Sequence, residues 1–596
     1  MKFPYGISNF REITLSDYFY ADRTSRIPLL EHGKYQLFIR PRRFGKTLLL
    51  STLFNYYDLA SAHLFDDMFG HLSIGKNPTP YRNKYFILQW DFSCVDPTGN
   101  VQQIKRALHN HINVRIEGFL KYYQEFDIQS VNINPDDALS SIDSLVYSLR
   151  MSGHPLYLLI DEYDNFANEV MMGAAMDNKR RYEALVFEEG PLRTLFKAVK
   201  SATSQSLIDR IFITGVSPVV MSDITSGFNI ARNIYLNQQH NDLCGFTLLE
   251  TQKAVEAVAE DCGFDESAGL GAASMIKIWY DGYLFSPDAR NMVINPTLAL
   301  FFLDTLEQEC TYPRNMLDDN MATDRSKLEY ISQIPGGGQL LLDLTTDGYV
   351  VEVDDIVSRF GMRDMLRDQS KDNSFMVSLL YYFGVLSLQG RTDLGKLILR
   401  VPNLVIRKLY VEQIAEMLLP DPIRRDEGKW AAEKLYQTGD MDPICRFIEQ
   451  KYFKVFHTAD YRWANELTVK TAFLTLLYND NLYVMDSELE IERGRTDLTM
   501  IIRPDARQYK ILDILVEFKF VSLKDAGTGG EEVRTMDREK LESMKLMQQA
   551  MAEAREQVRR NMESLSRKHD HLRLRGYAVV SLGFERIWWE EVYSGP

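Results

Sequence analysis

Five cysteines in 596 residues are too few and too scattered to staple a fold. Cys94, Cys244, Cys262, Cys310 and Cys445 form no CxxC pair, which argues against a disulfide framework and against a zinc site. A reducing cytosol fits that usage, so a cytoplasmic protein is expected. Long hydrophobic runs are missing too. No uncharged apolar run approaches the ~18–20 residues a spanning helix needs, so no membrane partner is expected. The opening MKFPYGISNFREITL has no apolar core long enough for a secretory signal. Excess positive charge is also absent: 68 Lys and Arg stand against 83 Asp and Glu, a net −15. The mean field of such a chain repels phosphate, so any nucleic-acid contact needs a local basic face.

What is present is ordinary globular material, 45% hydrophobic and 25% charged. Single cores rarely grow beyond ~250–300 residues, which implies three or more domains. Apolar runs at 35–40, 85–93, 156–164 and 210–218 read as buried strands. Helical patterns between them, such as 101–122 and 180–202, imply a parallel sheet covered on both faces. The pattern is mostly helical from about 248. SFMVSLLYYFGVLSL followed by KLILRVPN reads as a helix plus a hairpin, like a winged helix. After about 456, an amphipathic helix (465–479), strands in LYVMDSELEIE, TDLTMIIR and KILDILVEFKFVSL, a charged helical stretch (536–569) and a closing strand, GYAVVSLGF, follow in turn. The expected organisation is a lead-in (1–34), a first α/β domain (35–247), a helical lid (248–330), a winged-helix-like domain (331–424), a helical connector (425–455) and a second α/β domain (456–596).

Two segments carry nucleotide chemistry. In FIRPRRFGKTLLL, a strand enters a loop that opens a helix, and Gly45-Lys46-Thr47 form the second half of a Walker A loop. Backbone N–H groups at a helix start favour phosphate. Arg42, Arg43, Phe44, Gly45, Lys46, Thr47 and Leu48 form the cradle. Lys46 can reach the β- and γ-phosphates and Thr47 can ligate Mg²⁺. Arg40 stands where the motif has its first glycine. In LYLLIDEYDNF a buried strand delivers Asp161 to the metal and Glu162 to the attacking water. Thr214, ending IFITG, is placed to sense the γ-phosphate, and Arg232 is a further phosphate-sensing candidate.

A third constellation lies near the end of the chain: Glu466 on a helix, Asp497 in GRTDL, and Glu517-Phe518-Lys519 in LVEFKF. Residues two apart on a strand face the same way, so Glu517 and Lys519 project together. Two acids and a lysine can hold one or two Mg²⁺ or Mn²⁺ ions against a phosphodiester, with Glu466 completing the shell. Arg555, Arg559 and Arg560 fall on one helical flank and could draw in a nucleic-acid backbone.

Taken together, these segments resemble the prokaryotic AAA-ATPase-like proteins that carry a C-terminal PD-(D/E)XK nuclease domain. FPYGISNFREI, YADRTSRIPLLE, RPRRFGKT, LLIDEYDNF, ITGVSPVVMSDITSGFNI, CGFTLLE, YDGYLF, INP, GRTDL and VEFKF carry the likeness. It implies an α/β multidomain protein: a P-loop ATPase with helices on both sheet faces, a helical and winged-helix-like middle, and a restriction-endonuclease-like end. The arginine at the first Walker glycine is itself a feature of that family. The resemblance further implies a nuclease triad of Asp497, Glu517 and Lys519, and a glutamine on the following helix, which Gln557 matches best. The tyrosine usual after that glutamine is missing. The function implied is an ATP-hydrolysing protein coupled to a metal-dependent nuclease, with DNA preferred over RNA, a homo-oligomer as a further form, and defence against foreign DNA by analogy of architecture. The competing reading is an ATP-driven switch whose C-terminal domain binds nucleic acid or a protein without cutting.

Overall fold

The structure is a computed structural model. It describes the whole chain except residues 97, 166–182, 184–185, 187–189, 225–227, 319–324, 346–348, 359–371, 457–465, 486–495, 570 and 594–596. Expected pieces that lie partly outside the described residues include the start of the 180–202 helix, the first residue of the 465–479 helix, the far half of the 482–492 strand, Phe166 of LLIDEYDNF, residues 225–227 of ITGVSPVVMSDITSGFNI, and Gly494-Arg495 of GRTDL. The chain divides into two compact units. One comprises Met1–Cys310 with Val351–Pro402, and the other Thr311–Val350 with Asn403–Pro596.

The first unit is built on five parallel strands: β1 (Tyr35–Ile39), β2 (Phe86–Asp91), β3 (Leu156–Asp161), β4 (Ile208–Gly215) and the short β5 (Arg232–Asn233), in the order β2-β3-β4-β1-β5. Their near-continuous apolar sequences reflect burial on both faces, and β3 is buried at every position. The covering helices include α1 (Lys46–Tyr57), α2 (Val101–Tyr122), α3 (Ala138–Arg150) and α4 (Pro191–Ser204). Asn100 and Gln103 start α2 with a reciprocal capping box. Three helices follow: α5 (Leu248–Asp261), α6 (Glu266–Tyr280) and α7 (Pro296–Glu309).

Cys262, at the end of α5, and Cys310, at the end of α7, form a disulfide with Cα atoms 5.6 Å apart. The scattered spacing, which argues against a disulfide framework, gives no sign of this one pair. Two residues separated by 48 in sequence carry no spacing signal, and only the packing of α5 on α7 brings them together.

The unit is completed by β6 (Val351–Val353), α8 (Asn373–Tyr382), β7 (Ser387–Arg391) and β8 (Leu397–Arg400), the strands pairing antiparallel in the order β6-β8-β7. The expected helix and hairpin are both there, and β6 widens the hairpin into a small sheet.

The second unit holds α9 (Leu404–Leu418), α10 (Pro422–Thr438) and α11 (Glu466–Leu477). Its sheet runs β13-β12-β11-β10-β9, made of β9 (Tyr483–Met485), β10 (Leu498–Ile502), β11 (Asp513–Val521), β12 (Leu574–Leu582) and β13 (Arg586–Val592). Only β11 and β12 pair parallel. The final strand β13 was not anticipated, because Arg586, Glu590 and Glu591 break up its apolar pattern. The 536–569 stretch is also not one helix: Met544 has extended backbone, and the long helix is α12 (Lys545–Lys568).

The sheet separates two cores. Ile514, Val516 and Phe518 face one, shared with Leu435 and Tyr436 of α10 and Phe473 of α11. Leu515, Ala578 and Val580 face the other, with Met551, Val558 and Met562 of α12. Gly576 on β12 sets that second spacing, since a Cβ there would collide with Val558 and Met562. The close approach holds one flank of α12 over β11, where the odd-numbered residues 515, 517 and 519 point.

Candidate nucleotide and metal sites

In the first unit, β1 ends at the phosphate loop and Gly45 begins α1 at φ +83, backbone that glycine adopts at little cost. Arg43 is also left-handed, at φ +66. The loop is tied down by later parts of the chain. Thr297 of α7 donates its hydroxyl to the Arg43 carbonyl at 2.9 Å, and Phe44 is buried edge-on against Tyr283 and Phe285. YDGYLF and INP thus buttress the loop, which their sequence did not disclose. The Phe44 ring is part of this packing, so only its backbone is left for a phosphate.

Arg40 is 1% exposed. Its guanidinium donates to the carbonyls of Ile39, Tyr235 and His240 at 2.8, 2.9 and 2.7 Å, and lies over the rings of Phe38 and Phe285. Burial pulls its pKa down to about 10, which still leaves it charged at neutral pH. The residue at the lost glycine position is therefore a bolt between β1 and the 235–241 segment, facing away from any phosphate.

The strand order sets β4 between β1 and β3, so three strand ends meet. Asp161 accepts from Thr47 Oγ1 at 2.8 Å and from Thr214 Oγ1 on its other oxygen. Lys46 Nζ donates to the carbonyls of Arg40 and Pro41 at 3.1 and 2.9 Å. Glu162 follows at φ +48, and burial raises its pKa. Asp164, which the motif did not single out, is fully buried and accepts from the Val216 and Ser217 amides, locking the β3 and β4 ends together. Arg42 is half-buried at the loop, Leu48 lies in the first turn of α1, and Arg43 Nη1 is buried without a partner. An orphan donor beside Gly45 and Lys46 fits a phosphate. Arg232 does not belong with them: it is exposed on β5 opposite Gln36, four residues before the loop.

In the second unit, β10 and β11 run antiparallel with Leu498 opposite Val516, which sets Asp497 beside Glu517. The Asp497 amide donates to Glu517 Oε1 at 3.4 Å, and Asp497 Oδ2 accepts from the Phe518 amide at 2.7 Å. Glu517 is 1% exposed, and burial with the neighbouring Asp497 charge pushes its pKa up to about 8. Asn561 of α12 donates to its Oε1 at 2.6 Å, while Oε2 is buried without a partner. Asn561 belongs to no motif and sequence reasoning missed it.

Lys519 opens onto a pocket of about 480 Å³, lined also by Glu553, Glu556, Gln557 and Arg560. Gln557 thus sits where the resemblance wanted a glutamine, with its Oε1 buried and unpartnered. Arg555 is not on this face, because it is ion-paired with Glu590 of β13 at 2.7 Å. Glu466 does not touch the acid pair directly. Lys470, one turn along α11, bridges Glu466 at 2.9 Å and Asp497 Oδ1 at 2.6 Å.

Among the described residues, no group of three or more His, Cys, Asp or Glu side chains is arranged to hold a metal. The pair Asp497 and Glu517, with the orphan Glu517 oxygen, still fits Mg²⁺, which takes one or two carboxylates and keeps its waters.

The first site has the parts of a P-loop nucleotide site: the phosphate loop, the acidic end of β3, and Thr214 near the end of β4 between them. The second has the acid pair and lysine of a PD-(D/E)XK fold. Comparison with known proteins agrees. Residues 4–225 match the family described as predicted AAA-ATPase, and residues 464–591 match the PD-(D/E)XK nuclease superfamily. The chain joins an AAA-ATPase-like region to a nuclease-superfamily region. A relative from Azotobacter chroococcum mcd 1, described as an uncharacterized protein in the vnfD 5′ region, is 23% identical over 560 residues, covering 89% of this chain and 92% of the relative. Among solved structures, a Walker-type ATPase of Pyrococcus abyssi aligns at 12% identity over 65% of this chain and 94% of its own, with a TM-score of 0.34. The Aeropyrum pernix ORC1 protein, solved in complex with DNA, aligns at 12% identity over 68% and 98%, with a TM-score of 0.27. Among the described residues, no helix is long and apolar enough to cross a membrane.

Proposed function

We propose that the chain is an ATP-hydrolysing, metal-dependent nuclease whose cutting is governed by its nucleotide state. The observation that carries this reading is the Asp497–Glu517 pair, with Lys519 on the same face of β11 as Glu517 and opening on the pocket with Arg560. In the first unit, Lys46, Arg43 and the loop amides bind the ATP phosphates, with Thr47 and Asp161 holding Mg²⁺. Glu162 orients the attacking water and takes its proton, a task its raised pKa suits. Thr214, bonded to Asp161, registers whether the γ-phosphate is present.

In the second unit, Asp497 and Glu517 would hold Mg²⁺ or Mn²⁺. When bound, the metal supplies an activated water and charge stabilisation for phosphodiester hydrolysis. Lys519 steadies the negative charge that grows on the phosphoryl oxygens, and Arg560 orients the backbone. DNA is the preferred substrate over RNA. The proposed setting is the cytoplasm, the proposed use is defence against foreign DNA, and self-association is the proposed form of ATP control.

The Lys470–Asp497 ion pair favours a second reading, in which the C-terminal domain binds nucleic acid or a protein without cutting. One experiment separates the two. Labelled DNA and RNA are incubated with the full chain, Mg²⁺ or Mn²⁺, and with or without ATP. Cleavage lost in Asp497→Asn and altered in Lys46→Ala supports the first reading. Binding without cleavage under every condition supports the second.

A further inference from the structure

Lys470 has no place in the motif, yet it is ion-paired with both Asp497 and Glu466. Its ammonium lies 2.6 Å from Asp497 Oδ1 and 2.9 Å from Glu466 Oε1, and its side chain is 24% exposed. Asp497 Oδ2 is already taken by the Phe518 amide, and Glu517 Oε1 by Asn561. The Asp497 oxygen most open to a metal is thus the one Lys470 covers. Glu466 of α11 is linked to Asp497 only through Lys470, and Asp497, just before β10, lies beside Glu517 of β11. Lys470 is the one cation bonded among them in the described residues.

We infer that Lys470 is a resident counter-ion that a divalent cation must displace to reach Asp497, so it sets the metal threshold of the site. The inference rests on the proposed reading of Asp497 and Glu517 as metal ligands. A bound Lys470 satisfies the acids when metal is scarce, and its release hands the ammonium to Glu466, one turn away on the same helix. Glu466 is then the parking place for the displaced lysine, which gives it a role without direct ligation. A divalent cation and an ammonium on the same carboxylate oxygen repel each other strongly in a half-buried site.

The test uses the full chain, stripped of metal and free of nucleotide, with Mn²⁺ as the probe. Isothermal titration compares the wild type with Lys470→Met and Lys470→Arg, and Asp497→Asn serves as the blank that removes this site. Lys470→Met is expected to bind Mn²⁺ at least about tenfold more tightly, while Lys470→Arg stays near the wild type. In EDTA, Lys470→Met should melt earlier and recover with Mn²⁺. A second measurement needs no substitution: acetylation of Lys470, followed by mass spectrometry, should speed up several-fold when Mn²⁺ is added. Equal or weaker Mn²⁺ binding in Lys470→Met, or acetylation unchanged by saturating Mn²⁺, overturns the inference while leaving the metal site standing. Loss of all Asp497-dependent binding, in the wild type and variants alike, overturns the inference and the metal reading together.

Discussion

Replacing Arg40 with glycine would restore the first residue of a Walker A loop, yet the structure predicts that it damages the protein. The guanidinium satisfies three buried carbonyls, those of Ile39, Tyr235 and His240, and stacks between two rings. Each orphaned buried acceptor costs about 1–3 kcal/mol. Removing a buried charge recovers part of that, and breaking such an arrangement from one side typically nets about 3–5 kcal/mol. The lost ring contacts act in the same direction. For a unit this large, each kcal/mol moves the melting point by only ~1–2 °C, so a fall on the order of 5 °C is expected. The assay is differential scanning calorimetry of the full chain, following the transition that ATP stabilises. Arg40→Lys should rescue little, because a point charge on a flexible stem cannot serve three carbonyls as a planar fork does. If Arg40→Gly keeps its melting point and binds ATP more tightly, Arg40 is a degenerate loop residue and the argument from its buried bonds is wrong.

Three further outcomes are expected. Glu162→Gln should bind ATP with near-native affinity but turn it over at least ~100-fold more slowly, measured by phosphate release, because the amide keeps the shape and loses the base. His240 is 4% exposed, and burial with the Arg40 charge lowers its pKa to about 4. The unfolded chain therefore binds a proton before the folded one does. Its contribution is full above about pH 6.5 and is lost as the pH falls toward 4, at about 2–3 kcal/mol; a denaturation series should show this slope, flattened in His240→Gln. Arg559→Glu with Arg560→Glu should weaken DNA binding and reduce its salt dependence, read by fluorescence anisotropy, whereas Arg555→Glu should instead lower stability through Glu590.

What the sequence disclosed was local. A strand running into GKT, a strand ending in Asp-Glu and a strand carrying Glu-x-Lys each hold their chemistry within ten residues; the fold sets the first two at the C-terminal ends of inner strands and the third on the central strand β11. What it hid was decided by partners far along the chain. Arg40 reads as a missing glycine until Tyr235 and His240 are beside it. Thr214 is legible at the end of its strand, but its bond to Asp161 waits for the strand order that sets β4 between β1 and β3. Lys470 and Asn561 sit on amphipathic helices where a polar residue is unremarkable, and only sheet register brings them to Asp497 and Glu517. Arg555 looked equivalent to Arg559 on a helical wheel, but Glu590 lies on a strand whose pattern was too charged to recognise. Cys262 and Cys310 are ends of two helices with no motif between them.

The two units are interleaved along the chain, since Thr311–Val350 belongs to the second and Val351–Pro402 returns to the first. A ribosome therefore delivers the ATPase unit incomplete: its three-stranded sheet arrives only after a forty-residue excursion that must wait for residues 403 onward. Domains generally finish in the order they are synthesised, but here neither can finish before a stretch of the other has emerged. The unit that holds Asp497 and Glu517 thereby cannot be completed ahead of the segment that completes the unit holding Lys46. A chain stopped near residue 310 or 350 lacks Val351–Pro402 of the first unit and both Asp497 and Glu517 of the second. The connectivity itself thus couples the completion of the two units.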